Sequence, residues 1–525
     1  MDRHSEHSER SEHPETLVSG PPAAAPARYS MPATTRRTVL KGAGGLALAL
    51  GTLRLVGSKT IPPQRMRLAA STTLPDIQFA IGPYIAPAQT LNDGGGNVLV
   101  QLPPRHTVFA TARLNRTPTV GDQQMLSNAL ATIESNYPFA AGGIIMFVAY
   151  GTPYFSKLPG GLNGSLVSSH MPRLTSNNSR FALEEAVAGP TDVSSQNPGI
   201  TKQTFNVPVR IESNDLLITI RSDDPSYIQD VLSWLGGSNS LAGRPIQSPP
   251  LFSGLATVTS SRAQFLQLGL PAYVAGANGL PYANEINPNS TMWMGFLDQQ
   301  VDGSGPAGIC TFAGNSSARL TTARPGDYFD NGGIQHLSHV IEDLAQFYAR
   351  PSSSDPEGEP FTERVQYMFR SNPIPSTGNP NDQFTNSGGP SIFDNVFQGT
   401  GDAANNAQAI NTFQGEHRLG HLSCLHRSSR APDTTPIHVR MDGPGFDNMD
   451  VPGGSNQPKL QFTVFVPTAE FFRVMRVNQA SLDLQNQFGV QVADNGLERF
   501  LTATRRQNFL VPPRRHRAFP LVEFT

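Results

Sequence analysis

Short apolar runs rich in β-branched residues, separated by Gly, Pro, Asn and Asp, dominate the chain from about residue 75 onwards. In the first half such runs predict β-strands at 97–103, 107–114, 143–151 and 215–221. Apolar residues at helical spacing predict a helix over 121–135. A second helix is predicted after Asp224, since Asp suits the N-cap and Pro225 the first helical position. The order strand, strand, helix, strand, strand, helix indicates an α+β fold.

A similar order recurs in the second half of the chain. Strands are predicted at 254–260, 291–296, 436–440 and 459–467. Helices are predicted over 342–348 and 468–479, and the segment 335–349 opens as either a strand or a helix. We therefore expect two α+β halves, residues 71–245 and residues 246–525, interrupted by long Gly-, Ser-, Pro- and Asn-rich insertions.

The N-terminus differs from the rest of the chain. Residues 1–33 are polar and lack an apolar period, which predicts a disordered extension. Arg36 and Arg37 then precede a Gly/Ala-rich apolar run that Arg54 ends, so the run is too short to span a membrane. This pattern is typical of a twin-arginine signal, here with its linker over 34–70, although a short amphipathic helix is the alternative. We expect export by the twin-arginine machinery to the periplasm or the exterior.

Composition narrows the classes of function. Lys and Arg total 39 against 41 Asp and Glu, a net charge of −2, so no overall positive field attracts nucleic acid. Charged residues make up only 15% of the chain, and 48 Gly and 45 Pro indicate a loop-rich protein. Cys310 and Cys424 lie outside any CxxC pattern, which leaves either one disulfide or two buried thiols.

Several phrases, taken in order, resemble those of dye-decolourising haem peroxidases. Gly143 to Phe155 and Asp215 to Pro225 resemble two strand-and-turn steps of that family, Met294-Gly-Phe-Leu-Asp298 is similar to its GxxDG signature, and Ile437-His-Val-Arg440 is similar to its His-x-Arg step. The likeness covers roughly residues 95 to 515 as separate phrases. It implies two ferredoxin-like subdomains that form a dimeric α+β barrel-like fold and enclose one haem b per chain. It also implies hydrogen peroxide as oxidant and a bulky organic reductant.

The resemblance assigns a role to each matching residue. His438 would be the haem-iron ligand and Arg440 a partner of a haem propionate, while Gly295 and Phe296 would contact the cofactor. Asp298 would move the proton of the bound peroxide.

The chain departs from the family pattern at two positions. Gln299 replaces the closing glycine of the signature. The family's peroxide-stabilising arginine is missing as well, because Lys459 is the only cation between Met441 and Phe472. A lysine supplies charge without the planar fork of donors, so peroxide activation should be weaker.

Other interpretations remain open at this stage. Asp298 can cap its own turn, His438 can be a structural strand histidine, and Arg440 can form an exposed ion pair. His421 is the rival haem ligand; the His417/His421/His426 set and the His336/His339 pair can ligate a metal, and Cys424 can be a thiolate ligand. A haem-binding protein without turnover and a haem-free binding protein are the alternative functions. A homo-oligomer is possible, and no nucleic-acid partner is expected.

Overall fold

The computed structural model describes residues 74–85, 87, 89–92, 97–100, 102–288, 290–295, 307–314, 320–349, 421, 424, 438–482, 489 and 496–525. The predicted N-terminal extension and twin-arginine signal lie outside these described residues, and so do Phe296, Asp298 and Gln299. Within the described part of the chain, no helix combines the length and apolar character needed to cross a membrane.

The first part of the chain contains a four-stranded antiparallel unit. The elements of this part are, in order, β1 (Gln89–Asn92), β2 (Asn97–Val100), β3 (His106–Leu114), α1 (Val120–Asn136), β4 (Ile145–Tyr150), α2 (Thr152–Ser156), α3 (Ser165–His170), β5 (Arg210–Ile211), β6 (Leu216–Ser222), α4 (Pro225–Leu235), β7 (Ser240–Leu241), β8 (Arg244–Pro245) and β9 (Ala256–Phe265). Strands β3, β4, β6 and β9 form the four-stranded antiparallel unit. Strands β4 and β6 are buried along their whole length, as expected of continuous apolar runs covered on both faces. The Asp224 side chain accepts a hydrogen bond from the Ser226 N–H, which confirms the predicted N-cap of α4.

The second part repeats this plan. Its elements are α5 (Leu270–Ala277), β10 (Gly333–Glu342), α6 (Leu344–Phe347), β11 (Val439–Arg440), β12 (Gly443–Asp447), β13 (Gln457–Val466), α7 (Ala469–Ala480) and β14 (Leu501–Val511). Helix α7 begins after Thr468, whose hydroxyl accepts from the Phe471 N–H. The predicted helix at 342–348 is shorter than expected, because Glu342 ends strand β10 and only Leu344–Phe347 is helical.

Strand pairing gives both units the ferredoxin-like order. The main path across the sheet is β11-β13-β10-β14-β4-β6-β3-β9, with β12 also paired to β13. In the first unit β3 and β6 are central and antiparallel, and in the second unit β10 and β13 are. These are the first and third strands of a βαββαβ fold. Strands β14 and β4 join the units at Leu510 and Tyr150. The predicted α+β class with two ferredoxin-like units is confirmed.

The two ends of this sheet meet and close a barrel. Gln264 of β9 donates a hydrogen bond from Nε2 to the Met441 carbonyl at 2.8 Å. Gly445 of β12 lies so near β9 that a Cβ there would be 2.9 Å from the Ala263 carbonyl oxygen. The barrel interior holds an aromatic core in which Phe79 and Phe465 stack at 4.6 Å.

Two sequence-based expectations differ from the structure. Residues 291–295 form bends and turns where a strand was predicted, because the Ser290 hydroxyl bonds the Met292 backbone and Gly295 has a positive φ of 84°. Strand β9 pairs with β3, so the first unit extends to Phe265, beyond the expected boundary at residue 245.

Candidate functional site

His438 and Arg440 share one face of the sheet. His438 is 1% exposed and directly precedes β11, where Val439 pairs with Phe465 and Arg440 pairs with Val464. Val439 and Phe465 pack in the barrel interior. Because successive side chains of a strand point to opposite faces, His438 and Arg440 lie on the outer face, together with Val464. We call this surface the outer face of the second unit.

Helix α7 covers part of the outer face. Val464 and Val466 pack in one apolar cluster with Phe472 of this helix. His336 is aligned with Val464 in the neighbouring strand and stacks on the Phe472 ring at 3.7 Å. Its two ring nitrogens contact Asn508 Oδ1 at 2.7 Å and Ser338 Oγ at 2.6 Å. Burial, more than the nearby Arg506, holds the pKa of His336 well below its usual value, so this histidine is neutral and structural.

Arg506 is a residue of this face that sequence reasoning did not find. It pairs with Ser338 across β14 and β10 and donates to the Ser338 hydroxyl at 2.8 Å. Its guanidinium also binds both carboxylate oxygens of Asp192, at 2.6 and 2.8 Å. The preceding Arg505 points into the barrel, where it bonds Asp450 at 2.5 Å. Nothing in the local sequence separates these adjacent arginines, because their faces follow from the register of β14.

Lys459 does not join His438. On β13 Lys459 lies an even number of positions before Phe465, so both side chains lie on the inner face. The Lys459 side chain enters the barrel, where Nζ donates to the Met449 carbonyl at 2.8 Å. Asp447 Oδ1 lies 3.8 Å from Nζ, and burial lowers the pKa of Lys459 to about 8. Lys459, the cation that the sequence predicts beyond His438, therefore lies on the other face of the sheet. Its position along β13 directs its side chain inward, whereas His438 lies on the outer face.

A charged network fills the same end of the barrel. His339 Nε2 lies 3.3 Å from Asp447 Oδ1, and its Nδ1 contacts the Thr504 hydroxyl at 2.8 Å. Arg262 and Arg505 both pair with Glu212, so residues from both units meet here. His336 and His339 lie on opposite faces, which rules them out as a chelating pair. Among the described residues no three His, Cys, Asp or Glu side chains are grouped as a metal site.

The turn that leads to Asp298 is fixed against strand β12, which follows the His438–Arg440 step in the sequence. Trp293 donates from Nε1 to the Gly445 carbonyl of β12 at 3.0 Å. Tyr348 donates from its hydroxyl to the Trp293 carbonyl at 2.8 Å. The structure thus brings together three segments that are far apart in the sequence: the Gly295 turn, the segment around Tyr348 and strand β12 at Gly445. Phe296 and Asp298 themselves lie outside the described residues.

The two cysteines and His421 lie elsewhere. Cys310 and Cys424 are buried and form no disulfide, which decides between the two sequence-based alternatives. Burial raises the pKa of the Cys310 thiol, so this cysteine is inert. His421 is 8% exposed, and both His421 and Cys424 lie beside Gly496. His417 and His426 lie outside the described residues.

The donor set on the outer face fits the cofactor that the resemblance implies. Haem needs an imidazole nitrogen for its iron, a cation for a propionate and apolar walls for the macrocycle. His438 is a buried imidazole, Arg440 is a half-buried guanidinium on the same face, and Val464 and Val466 are apolar neighbours. The residues present therefore fit haem, with Asp298 outside the described set.

The fold and this site define the class: an α+β barrel of two ferredoxin-like units with a buried histidine on the outer face of the second. The profile of a family described as "Family of unknown function (DUF7405)" matches residues 182–513, and the chain belongs to this family. No curated protein matches the chain.

Solved structures of dye-decolourising peroxidases are similar to this chain. An encapsulated DyP-type peroxidase from Mycobacterium smegmatis is 13% identical, with 81% of this chain and 95% of that chain covered and a TM-score of 0.42. A DypB variant from Rhodococcus jostii RHA1 in complex with haem is 11% identical, covers 79% and 96%, and has a TM-score of 0.43. A dye-decolourising peroxidase from Bacteroides thetaiotaomicron is 12% identical, covers 82% and 96%, and has a TM-score of 0.41.

Proposed function

We propose that this protein is an exported haem-dependent peroxidase that uses hydrogen peroxide to oxidise bulky organic reductants. The observation that carries the proposal is the placement of the buried His438 and the half-buried Arg440 on one face of the sheet. The resemblance of the sequence phrases to dye-decolourising peroxidases supports the same assignment.

Each residue has a distinct task in the proposed site. Haem b, one per chain, would supply a redox centre that gives two electrons to peroxide and regains them from the organic reductant. His438 would bind the iron through a ring nitrogen, and Arg440 would orient the cofactor by pairing with a propionate. Asp298 would hold the proton that moves between the two peroxide oxygens.

An absorption spectrum of the protein, purified from cells given a haem precursor, tests the proposal. We expect an intense Soret band that His438→Ala loses or shifts, since that change removes the proposed ligand. His106→Ala is the matched control, because His106 is also 1% exposed but lies at the start of β3 in the first unit. A wild-type protein that stays colourless, or a band that survives in His438→Ala and disappears in His106→Ala, would contradict the assignment.

Haem binding without turnover is the second candidate function. The placement of Lys459 inside the barrel favours it, because the expected cation beyond the ligand is absent from the outer face. Asp298→Asn separates the two functions. A peroxidase should keep its Soret band in this variant and lose reactivity with peroxide, whereas a haem carrier should behave identically with and without Asp298.

Export by the twin-arginine route forms part of the proposal. Arg36→Lys combined with Arg37→Lys should leave the protein in the cytoplasm, because that route reads the arginine pair. Arg54→Lys, which changes an arginine beyond the apolar run, is the control and should export normally. Immunoblots of cell fractions measure both, and export of the double variant would refute the route.

A further inference from the structure

Glu342 is a buried carboxyl group to which the proposed mechanism gives no task. It ends strand β10 on the outer face, is 5% exposed, and its Oε2 has no hydrogen-bond partner in the described part of the chain. A buried acceptor without a donor is costly, so this oxygen requires a ligand or a proton. Burial and the neighbouring Asp442 raise the pKa of Glu342 to about 8, which makes the group a neutral acid at pH 7.

Two stacked tyrosines lie beside Glu342. The rings of Tyr282 and Tyr348 are 5.7 Å apart with an angle of 16° between their planes. Burial raises the pKa of both tyrosines, and Glu342 raises it further, so the carboxyl group lies near both rings. The Tyr348 hydroxyl is already engaged by the Trp293 carbonyl, which ties this group of residues to the turn before Asp298. We call Glu342, Asp442, Tyr282 and Tyr348 the Glu342 cluster.

The electrostatic surroundings of the cluster are acidic. Asp442 is the charged group that acts on Glu342, Asp343 acts on Tyr282, and Glu285 acts on Tyr348. Within the described residues no cation forms an ion pair with Glu342, whereas the buried Asp192 and Glu498 each pair with an arginine and the buried Asp215 pairs with Lys157. A bound cation would therefore find an unmatched acceptor, negative potential and aromatic rings together.

We propose that the Glu342 cluster binds the ammonium group of an organic cation, and that reductants carrying such a group are the ones this protein prefers. An ammonium donates hydrogen bonds to Oε2 of Glu342, and its charge is stabilised by Asp442 and by the tyrosine rings. The role as reductant rests on the proposed peroxidase function, whereas the binding itself requires only the described cluster.

Binding exchanges one proton for one cation. Glu342 enters the complex as a carboxylate, so its proton is released to the buffer while the ammonium keeps all of its own. Below pH 8 each complex therefore releases up to one proton, and affinity rises with pH by up to about tenfold per unit until Glu342 is ionised in the empty site. Asp442, Asp343, Glu285, Tyr282 and Tyr348 are the titratable groups around Glu342, and all of them favour a cation when ionised.

Calorimetric titration of the full-length chain tests the proposal with a matched pair of ligands. Tyramine carries a phenol and an ammonium, whereas 3-(4-hydroxyphenyl)propionate has a similar shape and a carboxylate. We expect tyramine to bind at least about tenfold more tightly at pH 7, as expected for a hydrogen bond to a charged group. Repeating the titration in buffers of different ionisation enthalpy should show the released proton.

Two variants make the result specific. Glu342→Gln keeps the shape of the protonated acid and should lose about tenfold or more in tyramine affinity, together with the proton release. Glu185→Gln, which removes an exposed carboxyl group outside the cluster in the insertion between β4 and β6, is the control and should change the affinity little. Equal binding of both ligands, unchanged binding in Glu342→Gln, or displacement of tyramine by magnesium ions would overturn the proposal. Tyramine binding by a protein that never takes up haem would refute the peroxidase function and leave this site standing.

Discussion

At the scale of single residues, position relative to the sheet decides which groups can act together. His438 and Lys459 have the spacing that the resemblance requires, yet they lie on opposite faces of the sheet. The lysine pairs with Asp447 and donates a hydrogen bond to the Met449 carbonyl. Arg506, far along the chain, reaches the outer face because its register partner is Ser338. A shift of one residue along a strand therefore moves a charged side chain to the other face of the sheet.

Glu342 should make the stability of the protein depend on pH. The folded state binds its proton more tightly than the unfolded state does, because burial and Asp442 raise the pKa to about 8 from an ordinary value of 4.5. The contribution to stability is therefore complete below about pH 4.5 and is lost as pH rises through 8. Glu342→Gln, which cannot ionise, should become more stable than the wild type at pH 9 by roughly 2–5 kcal/mol relative to pH 4.5. Urea unfolding at both pH values measures this, and parallel curves for the two proteins would contradict it.

At the scale of elements, the sequence predicts what local patterns control. Strands such as β4 and β6 follow from continuous apolar runs, and α4 and α7 follow from Asp224 and Thr468, whose side chains bond the first-turn N–H groups. The apolar run at 291–296 misled the prediction, because Ser290 and Gly295 form a turn there. Whether a helix stops after one turn, as α6 does, depends on tertiary packing that periodicity does not report.

The candidate site was predictable only in part, for the same reason. His438 and Arg440 were found because they share one short phrase. The tie from Trp293 to Gly445 and the environment of Glu342 depend on segments that meet only in the folded chain. No spacing rule in the sequence relates these positions to one another.

At the scale of the whole molecule, closure of the barrel joins the two units and the site. The insertion between β4 and β6 crosses to the second unit, where Asp192 binds Arg506 and the Glu184 carbonyl accepts from Asn508. On the opposite side, β12 meets β9 through Gln264 and the Met441 carbonyl. Because β12 also holds Trp293 through Gly445, the position of the Gly295 turn depends on this seam.

A methyl group at the seam should test that dependence. Gly445→Ala places a Cβ 2.9 Å from the Ala263 carbonyl oxygen and 3.0 Å from Gln461 Nε2, so β12 and β9 must separate. We expect a loss of about 1–3 kcal/mol in stability, as for other overpacked sites. Weaker tyramine binding should accompany it, since the Trp293 anchor moves with β12. Thermal unfolding and calorimetric titration measure the two effects.

Gly308→Ala is the matched control, because a Cβ there meets nothing within 4 Å and the backbone needs no positive φ. It should leave the melting temperature unchanged or slightly higher, since alanine reduces the entropy of the unfolded chain. If Gly445→Ala and Gly308→Ala behave alike, the seam does not hold the two units together. If Gly445→Ala loses stability but keeps full tyramine affinity, the Glu342 cluster is positioned independently of β12.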